Sequence, residues 1–134
     1  MAVSAKVYGK FPAKAVDWLN DTIKVRLVPS SYTPDQDAHE FASSLPAAVG
    51  TDQTLATKTA NYDGSANRVT FDAADAVWTA LTGTFRFAVV YKDTGTAATS
   101  PLACYVDFGV DTTASAQDLT VMWNAAGIMD ATAA

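Results

Sequence analysis

The sequence predicts an all-β fold, an antiparallel β-sandwich of the jelly-roll or immunoglobulin-like kind with one short helix inserted. Phe85, Phe87, Val89 and Tyr91 fall at every second position, and Leu102, Cys104, Val106 and Phe108 repeat the pattern after a polar loop. This is the period of a strand with one buried and one wet face. Comparable runs, punctuated by Gly, Asp, Thr and Pro, recur along the chain and amount to seven or eight strands, more than a single open sheet of 134 residues covers. Two packed sheets solve the burial problem, with Trp18, Trp78, Phe85, Phe87, Phe108 and Trp123 as the bulky core candidates. The strand order is left open by the pattern.

Each element has its own signal. A strand at Val7 to Phe11 is followed by an irregular link through Trp18, and Thr22 to Val28 alternates Ile23, Val25 and Leu27 with Thr22, Lys24 and Arg26. After Pro29, Thr33 is placed as an N-cap, Pro34 at the first helical position and Gln36 where a capping box reaches back. Asp35 and Asp37 suit the positive end of the helix dipole. Ala38, Phe41, Ala42 and Leu45 form the apolar face of this short helix, and Pro46 ends it. The Thr-rich run from Thr54 to Thr59 reads as a strand, and Tyr62-Asp63-Gly64 opens the turn of a hairpin that returns through Val69 and Phe71. A polar loop and a brief strand at Val77 to Trp78 precede two long strands, Thr84 to Lys92 and Leu102 to Phe108. Their connection, DTGTAATSP, is exposed and too long for a tight hairpin. The last strand is Leu119 to Trp123, resuming at Gly127 to Met129 before a tail that frays.

Length and composition bound the function. The chain is one domain's worth of sequence, 49% hydrophobic and 17% charged, which excludes a disordered or collagenous polymer. No apolar run approaches the roughly 20 residues that span a bilayer as a helix, and the N-terminus lacks the apolar stretch of a signal peptide. Fourteen acidic against nine basic residues give a net charge of -5, which repels phosphate backbones, so neither nucleic acid nor membrane is an expected partner. Lys6, Lys10 and Lys14 are the nearest thing to a basic patch. Cys104 is the single cysteine, and on the apolar phase of a strand it reads as a small buried hydrophobe.

The search for chemistry returns mainly missing parts. His39 is the only histidine, and a metal reading would recruit Asp35, Asp37, His39 and Glu40. On a helix Asp35 and His39 share a face while Asp37 and Glu40 point elsewhere, so no metal site is expected. No serine sits in a nucleophile elbow, DTGTAATSP carries no lysine to cradle phosphate, and Asp72 with Asp75 flanks a surface loop. The expectation is a protein without enzymatic activity or cofactor.

The phrases IKVRLVPSSYTPDQDAHEF, NRVTFDAADAVW and especially FAVVYKDTGTAATSPLACYVDFG resemble a family of small virion proteins of tailed bacteriophages and their prophages. The likeness runs from about Lys6 to Ile128, and the third phrase is the specific one. Between Ser43 and Thr57 the chain departs from the pattern, with SSLPAAVGTDQTLA where a Gly-rich GTGY stretch stands in the family. The resemblance implies a structural role, foremost a decoration or cementing protein on the outer surface of the head, bridging major capsid subunits. The alternative it leaves is a tail or fibre-associated module, while a carbohydrate-binding module would need exposed tryptophans among Trp18, Trp78 and Trp123.

On the decoration reading the partners are the major capsid protein and further copies of the chain, a homodimer before a homotrimer because two copies can cover exposed edge strands across a two-fold axis. Residues 1–11 and 129–134 are the expected docking arms, with Val7, Tyr8 and Phe11 as apolar anchors. Asp93, Thr94, Thr96 and Thr99 of the long loop are the other expected contacts.

Overall fold

The structure is a computed structural model, described here for residues 2–3, 5–8 and 16–132. The expected all-β sandwich is what it shows: two sheets, antiparallel but for one short parallel contact. The strands are β1 (Ala2–Val3), β2 (Lys6–Val7), β3 (Ile23–Val28), β4 (Gln53–Thr54), β5 (Thr59–Asp63), β6 (Arg68–Asp72), β7 (Ala76–Lys92), β8 (Leu102–Trp123) and β9 (Met129–Thr132). The larger sheet has the order β1-β8-β7-β3-β4, with β2 also on β8; the smaller is β5-β6-β9.

The frame is the β7–β8 pair. The short strand expected at Val77 to Trp78 and the one at Leu119 to Trp123 are not separate elements; each is the far end of a long strand, so that Ala76 pairs with Val121 and Tyr91 with Leu102. The ladder carries paired irregularities that disguise its length. Ala80 and Ala116 adopt left-handed backbone, φ 51° and 50°. Their N–H groups donate to side chains on the facing strand, Asp118 Oδ1 at 2.9 Å and Thr82 Oγ1 at 2.9 Å, which replaces the ladder bonds a bulge forfeits. Gly83 is confined by packing, since a Cβ there would stand 2.7 Å from Val49 Cγ1.

A larger bulge sets which face each residue serves. Phe85 pairs with Thr112 and Phe87 with Asp107, so Phe108–Asp111 stand against Arg86 alone. The strand phase flips there. Phe85 packs into the core between the two sheets together with Ala88, Val90, Cys104, Val106 and the half-buried Phe108, whereas Phe87, Val89 and Tyr91 point to the opposite face. The expected grouping of Phe87 and Val89 with Cys104 and Val106 is therefore corrected. All four are buried, but on two sides of one sheet, because a bulge shifts the alternation by one residue. Leu102 likewise departs from Cys104's side, with Ala103 as the extra residue between the Val90–Cys104 and Tyr91–Leu102 pairs.

The face holding Phe85 is covered by the smaller sheet, through Phe71 and Met129, and by Trp18 and Ile128. Each of the three tryptophans is buried and spends its indole N–H on a backbone carbonyl: Trp18 on Asp72 at the end of β6 (3.1 Å), Trp78 on Thr51 (2.7 Å) and Trp123 on Ala74 (3.2 Å). Such bonds satisfy the one polar atom of a large apolar ring and fasten the covering loops. They also remove all three rings from any sugar-binding surface.

The opposite face is covered by Tyr8 and the segment from Val28 to Leu45. The helix expected at Thr33 to Leu45 is not formed. Asp35, not Thr33, is the capping side chain, its Oδ1 accepting the N–H groups of Asp37 (3.0 Å) and Ala38 (2.9 Å) in a single turn. The only regular helix in the stretch is a 3-10 turn at Ala42–Ser44. Tertiary demand overrides the local signal: Phe41 bridges Pro101, the Glu40 carbonyl accepts the Leu102 N–H (3.0 Å), and the Ala42 N–H donates to Ser100 (2.8 Å). Bonds spent across to the start of β8 are not available along a helix.

Other boundaries move for comparable reasons. The strand expected at Thr54 to Thr59 is split into β4 and β5 by Thr57 at φ 53°, while the hairpin with Val69 and Phe71 forms as expected. The N-terminal strand lies at Lys6–Val7 and overlaps the expected span only at Val7; Tyr8 follows it outside the strand, and residues 9–11 fall outside the described residues. The arm expected at 129–134, with its fraying tail, is instead tied down over Met129–Thr132, which pair with β6 as β9; residues 133–134 fall outside the described residues.

Two expectations follow. Phe87 is 7% exposed and meets Tyr32 and Tyr105 edge-on, each at 6.2 Å; Phe87→Ala should cost about 3–5 kcal/mol in chemical denaturation, and a loss under about 1 kcal/mol would place the ring outside the core. Cys104 is fully buried and burial pushes its thiol up to about 12. The thiol should resist a disulfide reagent at pH 8 until the chain is unfolded, and stability should fall as pH rises past the ordinary thiol value, because only the unfolded thiol ionises there.

Candidate partner-binding surface

The period-two pattern of β3 puts Lys24 and Arg26 on the face away from the main core, and pairing with β7 sets Lys24 opposite Tyr91. The Arg26 guanidinium grips Asp52 in a fork, Nε to Oδ1 at 3.0 Å and Nη2 to Oδ2 at 2.9 Å, and its Nη1 donates to the Pro46 carbonyl at 3.2 Å. The Tyr91 hydroxyl donates to the same carboxylate at 2.5 Å, and Arg26 sits over the Tyr91 ring at 5.8 Å. The bond to Asp52 holds the guanidinium pKa above its ordinary value, while burial and the bond to Asp52 raise that of the Tyr91 phenol. The pair is half-buried and fully hydrogen-bonded, a geometry that fixes the 46–52 loop to the sheet.

The loop from Asp93 to Pro101 rises beside this cleft, and Lys24, Arg26, Asp52, Tyr91, Asp93 and Ser100 line the ground between them. Asp93 anchors its base, accepting from Lys24 Nζ at 2.8 Å and from the Gly95 N–H at 2.9 Å. These two interactions hold the carboxyl below its ordinary value, the lysine contributing more. Ser100 closes the loop from within: its hydroxyl donates to the Thr96 carbonyl at 2.8 Å and accepts the Thr94 N–H at 3.0 Å. Thr94 and Thr99 share a hydrogen bond at 2.6 Å, and Ala97–Thr99 form a 3-10 turn. The loop is exposed yet internally bonded, so it presents a fixed shape and loses little entropy on docking.

The expected contact residues thus divide. Asp93, Thr94, Thr96 and Thr99 come together on this one loop. Val7 is in β2, its backbone paired with Cys104, and Phe11 lies outside the described residues. Tyr8 is 0% exposed, its hydroxyl 2.9 Å from that of Tyr32, which in turn lies 2.9 Å from His39 Nδ1. Tyr8 therefore ties the N-terminal segment to the domain's own interior instead of presenting an anchor to a partner. The signal for the Arg26–Asp52–Tyr91 cluster was half present in the alternation of IKVRLV; Asp52 lies 26 residues away in sequence and only the fold brings it in.

Among the described residues no three His, Cys, Asp or Glu side chains converge as metal ligands would. His39 is occupied by Tyr32 and by the Asp35 N–H (3.2 Å), and Asp35 by its own turn. Among the described residues no helix is long and apolar enough to cross a membrane. No family model, no curated protein and no solved structure gives a significant match to the chain.

The Lys24–Asp93 pair yields a pH test. Arg86 depresses Asp107 in the same way, so as pH falls below the ordinary carboxyl value of 3.8 the unfolded chain takes up protons before the native one does. Stability should be level above that value and decline as pH drops through the depressed native values. In an NMR titration Asp93 should have its midpoint below 3.8, and Lys24→Met should move that midpoint upward and leave Asp107 unchanged.

Proposed function

We propose that this chain is a non-enzymatic structural protein of a tailed-bacteriophage virion, decorating the outer surface of the head and bridging major capsid subunits. The observation that carries this reading is the exposed, self-bonded loop from Asp93 to Pro101, which lies within the phrase most specific to the phage virion family. Holding a shell together calls for a rigid body that offers preformed polar surface to its partners, and it calls for no bond-making chemistry. Among the described residues the charged pairs Lys24–Asp93, Arg26–Asp52, Arg86–Asp107 and Lys92–Asp21 are spent within the domain. Contact then falls to the neutral hydroxyls and backbone of Thr96 to Thr99. The N-terminal segment fastens the fold on this account, and the loop takes over the docking role first expected of the terminus.

Electron microscopy of virions is the deciding measurement. Density of this size on the head, lost together with heat resistance of the particle when the gene is deleted, is the expected result. A double substitution Thr96→Arg and Thr99→Arg should abolish attachment while leaving the near-ultraviolet circular dichroism of the free protein unchanged. Density confined to the tail with a bare head would instead support the tail-module reading.

A further inference from the structure

The smaller sheet ends in a strand that the domain does not use. All five residues of β5, Thr59 to Asp63, are exposed, and beyond the ladder to β6 no strand pairs with β5 among the described residues. Registers across the sheet sort its side chains coherently. Ala60 and Tyr62 share a face with Phe71 and Val69 of β6 and with Met129 and Ala131 of β9, while Thr59, Asn61 and Asp63 share the other with Asp72, Thr70 and Arg68. Phe71 and Met129 pack on the main core, but the apolar face continues past them and leaves Tyr62 68% exposed. Natural edges are usually blunted by brevity, proline, a bulge or a lysine. β4 is two residues long, and β8 is bulged and partly covered by β1 and β2. β5 has none of these devices, and its ladder to β6 runs without a register shift.

We propose that this edge is covered by β5 of a second copy of the chain, the two strands running antiparallel about a two-fold axis at Asn61 and joining the two small sheets into one six-stranded sheet. The strand is complementary to itself in this register. Asn61 meets Asn61 of the second copy, Ala60 meets Tyr62 and Thr59 meets Asp63, so a large ring is set beside a methyl group and a carboxylate beside a hydroxyl. The Asn61 amides supply donor and acceptor to each other on the polar face. On the apolar face the exposed Tyr62 rings close over Ala60 of the facing strand, extending the stripe begun by Val69.

Other registers that keep the two apolar faces together are displaced by steps of two residues. An axis at Tyr62 leaves Thr59 and Ala60 without a partner in the strand, and one at Asp63 sets Asp63 against Asp63. An axis at Ala60 leaves Tyr62 and Asp63 without a partner in the strand. Only the axis at Asn61 pairs all five residues with no like charges opposed. The closed two-fold contact consumes the β5 edge on both copies. This association does not depend on the decoration reading, because it requires no capsid.

Sedimentation velocity of the full chain at micromolar concentrations should give a dimer. Asn61→Lys, which places two ammonium groups at the axis, should give a monomer with unchanged near-ultraviolet circular dichroism, whereas Val110→Lys, at another exposed apolar position, should leave the dimer intact. Asn61→Cys should form a disulfide-linked dimer on mild oxidation, with the buried Cys104 as an internal negative control. A wild-type monomer would assign the β5 edge to a strand of some other protein and overturn the proposal. So would a dimer that survives Asn61→Lys, which would place the contact elsewhere.

Discussion

The architecture depends on one constraint: the section of the β7–β8 ribbon from Phe87 to Tyr91 and from Leu102 to Val106 is apolar on both faces. A sheet of this kind cannot have one wet side, as most antiparallel sheets do. It must be covered twice. The bulge at Phe108–Asp111 partitions the ribbon, sending Phe85 to one side and Phe87 to the other, and the rest of the chain is arranged as two covers. The small sheet and the tryptophan-anchored loops close one side; Tyr8, Tyr32 and the folded segment up to Leu45 close the other.

This two-sided demand accounts for features that otherwise look unrelated. The N-terminal segment contributes a buried tyrosine because the second face needs another ring beside Tyr105, which Tyr8 meets at 5.5 Å. The segment after Pro29 forsakes a helix because it must lie across β7 and β8 and bond to residues at the head of β8. The Arg26–Asp52 fork stands at the rim of the second face, where the cover gives way to solvent and a charged pair retains enough exposure to avoid a large desolvation cost.

The same economy separates the surfaces available to partners. The loop from Asp93 to Pro101 is the turn of the central hairpin, so it inherits the rigidity of the best-packed strands and adds its own hydroxyl network. The edge of β5 belongs to the lighter sheet, held to the core by Phe71, Met129 and the tryptophan contacts. The two lie on different elements, so the proposed contact of the loop with a shell and the proposed pairing of the edge with another copy of the chain use separate surfaces.

Sequence alone determined the class of fold, the alternation of β3, the β5–β6 hairpin, the burial of Cys104 and the aromatic core, because each depends on local period or on the size and polarity of single residues. It also singled out the Asp93 to Pro101 loop, whose turn residues carry their own signal. What it did not determine was set by pairing at long range. The helix expected after Thr33 had sound caps, but its backbone groups were claimed by β8. The strands at Val77 and Leu119 looked isolated because left-handed residues at Ala80 and Ala116 break the alternation, and only the facing Asp118 and Thr82 make those breaks affordable. The face served by Phe87 was decided by three extra residues on the neighbouring strand, an insertion no period within β7 could reveal. Tyr8 is an arm in sequence and a core residue in the fold, since burial of a ring depends on what stands opposite it.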